Sequence, residues 1–131
     1  MSRFVVHISA LLALAEREAE VSAEHELLAP TLVRSQVLST LHEAVHRGEL
    51  DGKTAKRRLA WVSEQRLRLL GDAVLRRRAW ELADELGWPS TYDAEYVALT
   101  MLQADALITL DPQLERAVRG IVETAPLEAI V

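Results

Sequence analysis

The chain has 131 residues, half of them hydrophobic, and a formal net charge of −5, which excludes a disordered chain and a strongly basic nucleic-acid binder. It has no cysteine, which excludes disulfides, thiol nucleophiles, iron–sulfur clusters and thiolate zinc sites. The length predicts a single domain over residues 1–131. No apolar run approaches the ~20 residues that cross a bilayer, and no signal-peptide pattern opens the chain, so the expectation is a cytoplasmic protein without a membrane partner.

Arg3 to Ile8 is short and rich in Phe, Val and Ile, which predicts a buried strand. Ser9 then reads as the N-cap of a helix from Ala10 to about Glu18. Glu26 to Ala29 predicts a second strand, ending at Pro30. From Thr31, read as a cap, apolar residues Leu32, Val33, Val37, Leu38, Leu41 and Val45 recur at helical spacing until Gly48. Asp51 starts another helix, and Arg66 to Leu70 reads as a third strand. Gly71-Asp72 turns the chain into a long helix ending at Leu86, closed by Gly87 and Pro89. Ser90 to about Gln103 predicts a further helix, Ala106 to Leu110 a compact strand, and Asp111-Pro112 the start of a short helix to about Val118. Gly120 to Thr124 reads as a final edge strand.

Strands alternate with helices along this chain. Such alternation predicts an α/β fold: a central, mainly parallel sheet with helices on both faces, in three α/β/α layers. Sites in such folds form beyond the carboxyl ends of the strands. His7 and Ser9 follow the first strand, Thr109 and Asp111 close the fourth, and Asp93 lies in the first turn of the helix before it. These positions can meet in one cleft.

Four segments resemble one family. Tyr92-Asp93-Ala94-Glu95-Tyr96-Val97-Ala98-Leu99 is similar to the Asp-Ala-x-Tyr-x-x-Leu signature of PIN domains. Leu107 to Asp111 resembles the family's strand ending in Thr-x-Asp. Phe4 to Leu12 resembles its opening strand, acidic residue and small hydroxylic residue. Pro30 to Leu41 resembles the helix that carries its glutamate. The resemblance spans nearly the whole chain and points to the VapC-like toxin ribonucleases of VapBC toxin–antitoxin pairs.

The resemblance implies metal-dependent cleavage of RNA. In the family, four carboxylates surround Mg²⁺ or Mn²⁺, which prefer hard oxygen ligands and help water to ionise. Asp93 and Asp111 match two of these as catalytic and metal-binding residues, with Ser9 and Thr109 behind them. The other two positions carry His7 and Gln36. A glutamine oxygen has no charge, and an imidazole nitrogen suits Mn²⁺, Ni²⁺ or Zn²⁺ better than Mg²⁺. Both are therefore weaker ligands, and Mg²⁺ or Mn²⁺ is expected to bind weakly. The resemblance also implies a VapB-like antitoxin, an RNA ligand and a homodimer. Two functions follow: a ribonuclease with weakened or lost cleavage, or an inactive PIN-like module that binds an antitoxin-type partner or RNA.

Each residue also has a plainer role. Asp111 before Pro112 suits a helix N-cap, and Ser90 to Asp93 suits a capping box. His42-Glu43-Ala44-Val45-His46 matches the His-Glu-x-x-His zinc pattern, yet no third downstream ligand accompanies it, so exposed histidines are expected. Lys53, Lys56, Arg57, Arg58, Arg66, Arg68, Arg76, Arg77 and Arg78 crowd the middle of the chain, either as solvated helix faces or as a phosphate-facing patch. Trp61, Trp80 and Trp88 are expected as packing residues, with base stacking as the alternative.

Overall fold

The computed structural model describes residues 1–131. In chain order the elements are β1 (Arg3–Val6), α1 (Ile8–Glu16), β2 (Glu26–Pro30), α2 (Val33–His46), α3 (Gly52–Glu64), β3 (Leu67–Leu70), α4 (Ala73–Leu86), α5 (Tyr92–Gln103), β4 (Ala106–Ile108) and α6 (Pro112–Ala117). A 3₁₀ turn at Leu127–Ile130 follows.

The four strands form one sheet in the order β3-β2-β1-β4, and every pairing is parallel. Val5, Val6, Leu28, Ala29, Leu107 and Ile108 are fully buried at consecutive positions. Unbroken apolar runs are what a parallel sheet covered on both faces requires. Parallel crossovers are right-handed. The chain moves one way from β1 to β3 and then returns past β1 to β4. Helices α1, α2 and α3 therefore share one face, where they pack on one another, and α4 and α5 pack together on the other. The three-layer α/β/α arrangement is thus observed. Because connections leave β1 and reach β4 in opposite senses, a crevice opens at the carboxyl ends of these two strands.

Several boundaries differ from expectation. β1 stops at Val6, and Ile8 already belongs to α1. The N-cap of α1 is His7, not Ser9: its backbone is extended (φ −66°, ψ 152°), and its ring accepts the Ser9 N–H. An N-cap needs non-helical dihedrals, and Ser9, two residues after His7, already lies within the helix. Thr31 caps nothing either, because the chain is already helical at Leu32, which has no side-chain cap. β4 stops at Ile108, and α5 starts at Tyr92 rather than Ser90. The expected edge strand at Gly120–Thr124 is a turn with a single bridge, Leu107 to Thr124. Ile121 and Val122 donate back to the Val118 carbonyl, and the sheet is met only at Leu107, through Glu123 and the adjoining Ala125, so no ladder propagates.

Other local signals match their physics. Asp51 and Asp72 cap α3 and α4 through the Thr54 and Leu75 N–H groups, and Gly87 ends α4 in the left-handed region at φ 69°. Trp61 and Trp88 pack partly buried against the core, whereas Trp80 is 66% exposed. It stands largely in solvent, so the packing role expected of it is not taken up. No helix is long and apolar enough to cross a membrane.

Candidate functional site

α1 begins immediately after β1, so its N-cap residue sits at the crevice. His7 is buried at 4% exposure. Its Nδ1 lies 3.3 Å from the Ser9 backbone nitrogen and 2.8 Å from Ser9 Oγ. A backbone N–H only donates, so Nδ1 must be an unprotonated acceptor. In the neutral ring the proton then sits on Nε2, which donates to Asp93 Oδ1 at 2.9 Å.

The hydroxyls behind the ring extend this chain. Ser9 Oγ accepts the Leu110 N–H at 2.9 Å and lies 3.2 Å from Thr109 Oγ1. Thr109 Oγ1 is also 3.2 Å from His7 Nδ1 and accepts the Asp111 N–H at 3.0 Å. Ser9 and Thr109 thus join the end of β4 to the start of α1 and fix the ring's orientation. Asp93, by contrast, makes no capping bond. Ser90 Oγ takes the Tyr92 N–H at 3.2 Å, and Thr91, the N-cap of α5, uses no side chain. The capping box expected from Ser90 to Asp93 does not form, which leaves the Asp93 carboxylate for His7.

Gln36, on the first turn of α2, reaches the same end of the sheet. Its Oε1 accepts the Tyr96 hydroxyl at 2.6 Å. Tyr96 is fully buried and stacks edge-on against His7, with ring centroids 4.7 Å apart and an interplanar angle of 64°. Burial, reinforced by the charges of Asp93 and Glu95, holds the Tyr96 hydroxyl well above the usual phenol range, so it stays protonated and donates. Sequence reasoning placed Tyr96 in the Asp-Ala-x-Tyr signature but gave it no role at the site. The signal was its place three residues after Asp93, on one helix face.

Asp111 acts as the N-cap of α6, its Oδ1 accepting the Gln113 and Leu114 N–H groups at 2.9 and 3.3 Å. The capping role expected of it is therefore present. It still opens on the cleft, a cavity of about 400 Å³ lined by Gln36, Trp88, Tyr92, Asp93, Asp111 and Gln113, among others. No lysine or arginine lines this cavity. His7 does not line it, but reaches it through its bond to Asp93, with Ser9 and Thr109 bonded to the ring behind. His42 and His46 are exposed on α2.

A divalent cation does not fit these donors as they are arranged. Nowhere do three or more His, Asp or Glu side chains gather closely enough to hold one. His7 offers no lone pair to the cleft, because Nδ1 is taken and Nε2 carries the proton. The Gln36 oxygen already accepts the Tyr96 hydroxyl, and as an uncharged amide it offers an ion only its second, weaker lone pair. The anionic donors that the cleft presents are two carboxylates, Asp93 and Asp111, each with one oxygen already hydrogen-bonded.

No protein-family profile and no curated protein sequence matches this chain. Solved structures do. PAE2754 from Pyrobaculum aerophilum superposes with a TM-score of 0.71 at 25% identity, over 98% of this chain and 92% of its own. VapBC2 from Rickettsia felis, solved bound to a DNA fragment from its promoter, gives a TM-score of 0.69 at 9% identity, covering 95% and 98%. VapC20 of Mycobacterium tuberculosis, a toxin that cleaves the sarcin–ricin loop, gives 0.62 at 19% identity, covering 94% and 99%. The chain has the PIN-domain fold of the VapC type.

Proposed function

We propose that this chain is a VapC-like PIN-domain protein of a toxin–antitoxin pair in which metal-dependent RNA cleavage is weakened or lost. The observation that carries this reading is the His7–Asp93 hydrogen bond at 2.9 Å. It puts an imidazole at a corner where the resemblance implies a carboxylate, and it engages one of the two carboxylates that remain. Any residual Mg²⁺- or Mn²⁺-dependent cleavage would run through Asp93 and Asp111. Their ionised oxygens would then supply the hard donors such ions prefer.

The fold shared with VapBC2 supports a VapB-like antitoxin as partner. The fold shared with VapC20 supports RNA as the ligand class. Binding of partner or RNA does not need the missing carboxylates, so a binding role outlasts the loss of cleavage. A homodimer and a cytoplasmic location belong to the same reading.

The test compares wild type with the His7→Asp/Gln36→Glu double variant on RNA, with Mg²⁺ and with Mn²⁺. Little cleavage by wild type and a gain in the double variant is the expected result. Robust metal-dependent cleavage by wild type that Asp93→Ala abolishes would overturn the proposal.

A further inference from the structure

The floor of the cleft is a hydrogen-bonded unit assembled from four elements. Asp93 and Tyr96 come from α5, Gln36 from α2, His7 and Ser9 from the start of α1, and Thr109 from the end of β4. In a cluster of carboxylates, a cation is what cancels their mutual repulsion and ties their elements together. Here protons do that work. The Nε2–H of His7 bridges α1 to α5, and the Tyr96 hydroxyl bridges α5 to α2. The two rings pack edge-on at 4.7 Å, so neither pair can swing away without disturbing the other. Behind them, the Ser9 and Thr109 hydroxyls hold the ring at Nδ1, and the Asp111 N–H in turn donates to Thr109 Oγ1. No buried side-chain nitrogen or oxygen in the chain lacks a partner, so this floor has no polar atom waiting for an ion.

We infer that the His7–Asp93 and Tyr96–Gln36 pairs together take the place of a divalent cation, so that the folded chain neither needs nor binds one at this cleft. The inference rests on reading the cleft as a VapC-type site. It goes further than weakened cleavage, because it assigns the two pairs the structural work of the ion and makes the fold itself independent of metal. Re-aiming His7 toward an ion requires the ring to give up the Asp93 bond and leaves the Ser9 and Thr109 hydroxyls to find other partners. A small ion such as Mg²⁺ demands near-octahedral oxygen ligation. Two single carboxylate oxygens on separate helices, with no third donor among His or acidic side chains, fall short of it.

The inference is tested by thermal melting of the full chain in EDTA and in millimolar MnCl₂. Wild type is expected to melt at the same temperature in both. His7→Asp/Gln36→Glu restores two anionic donors. It is expected to melt lower in EDTA, where the carboxylates repel, and several degrees higher once MnCl₂ is added; a further Asp93→Asn change is expected to remove that gain. A MnCl₂-dependent rise in wild type that Asp93→Asn removes overturns the inference. So does a folded double variant that ignores MnCl₂, since the two pairs would then not be what excludes the ion. Should the double variant fail to fold, electron paramagnetic resonance of Mn²⁺ added to wild type decides: an undiminished free-ion signal supports the inference, and its loss at stoichiometric protein overturns it. Melting reads ion binding, whereas the RNA assay reads cleavage. A wild type that cleaves no RNA yet melts higher in MnCl₂, with Asp93→Asn removing the rise, therefore defeats this inference and leaves the proposed function standing.

Discussion

Tyr96 donates its buried hydroxyl to Gln36 Oε1 at 2.6 Å, joining the central helix α5 to α2 across 60 residues of sequence. A glutamine without that partner would have its oxygen facing only the cleft. A phenol without the glutamine would be a buried donor with nothing to accept it. Each residue accounts for the other, and both stand against the ring of His7.

Tyr96→Phe keeps the ring and removes only the donor. It is expected to cost about 1–2 kcal/mol, because the Gln36 oxygen loses its protein partner. Urea denaturation of the single variants and of Tyr96→Phe/Gln36→Leu measures it. The double variant should lose clearly less than the sum of the singles, and strict additivity would show the bond to be energetically silent.

The tautomer of His7 is open to direct observation. Because Nδ1 accepts the Ser9 N–H and Nε2 faces Asp93, nitrogen NMR of the ring near neutral pH is expected to show the proton on Nε2. Ser9→Ala is expected to lower stability by about 1 kcal/mol, through loss of the acceptor for the Leu110 N–H and of the hydroxyl on Nδ1. A ring protonated on Nδ1 alone contradicts the relay.

Glu95 gives a pH signature. Burial holds its carboxyl above the ordinary value of 4.5, and Arg76 opposes this only in part. The folded chain therefore holds this proton more tightly than the unfolded one. The associated stability is fully present below pH 4.5 and is lost as pH rises through the raised folded value. Glu95→Gln is thus expected to match wild type in acid and to exceed it at neutral pH, as read from denaturation midpoints across that window. A variant less stable than wild type at neutral pH would show that the pairing with Arg76 wins.

Gly71 lies between β3 and α4, beside the end of β2. A Cβ there would sit 2.5 Å from Thr31 Oγ1 and 3.2 Å from Thr31 Cγ2. Threonine is stiff at χ1, so the neighbour has little room to give. Gly71→Ala is expected to destabilise by about 1–3 kcal/mol, an overpacking cost. Adding Thr31→Ala removes both of the closest atoms and should recover most of the loss in a melting experiment.

The sequence by itself determined the order and kind of the elements. Hydrophobic runs such as Leu107-Ile108 and the helical spacing of Val33, Val37 and Leu41 report burial, and burial is what makes strands and helices in a three-layer fold. It also determined which positions meet: right-handed crossovers bring the ends of β1 and β4 together whatever residues stand there, so His7, Asp93 and Asp111 converge. Boundaries were less legible. The cap of α1 passed from Ser9 to His7, and the segment at Gly120–Thr124 kept one bridge, because single dihedrals and hydrogen-bond partners decide these and periodicity does not see them. Only the tertiary structure decided what the converging residues do to one another. That His7 spends its proton on Asp93, that Tyr96 fills the oxygen of Gln36, and that Asp111 caps α6 while facing the cleft are facts of distance and direction between groups far apart in the chain. A hydrogen bond exists only within a few tenths of an ångström, and the sequence alone does not carry that length.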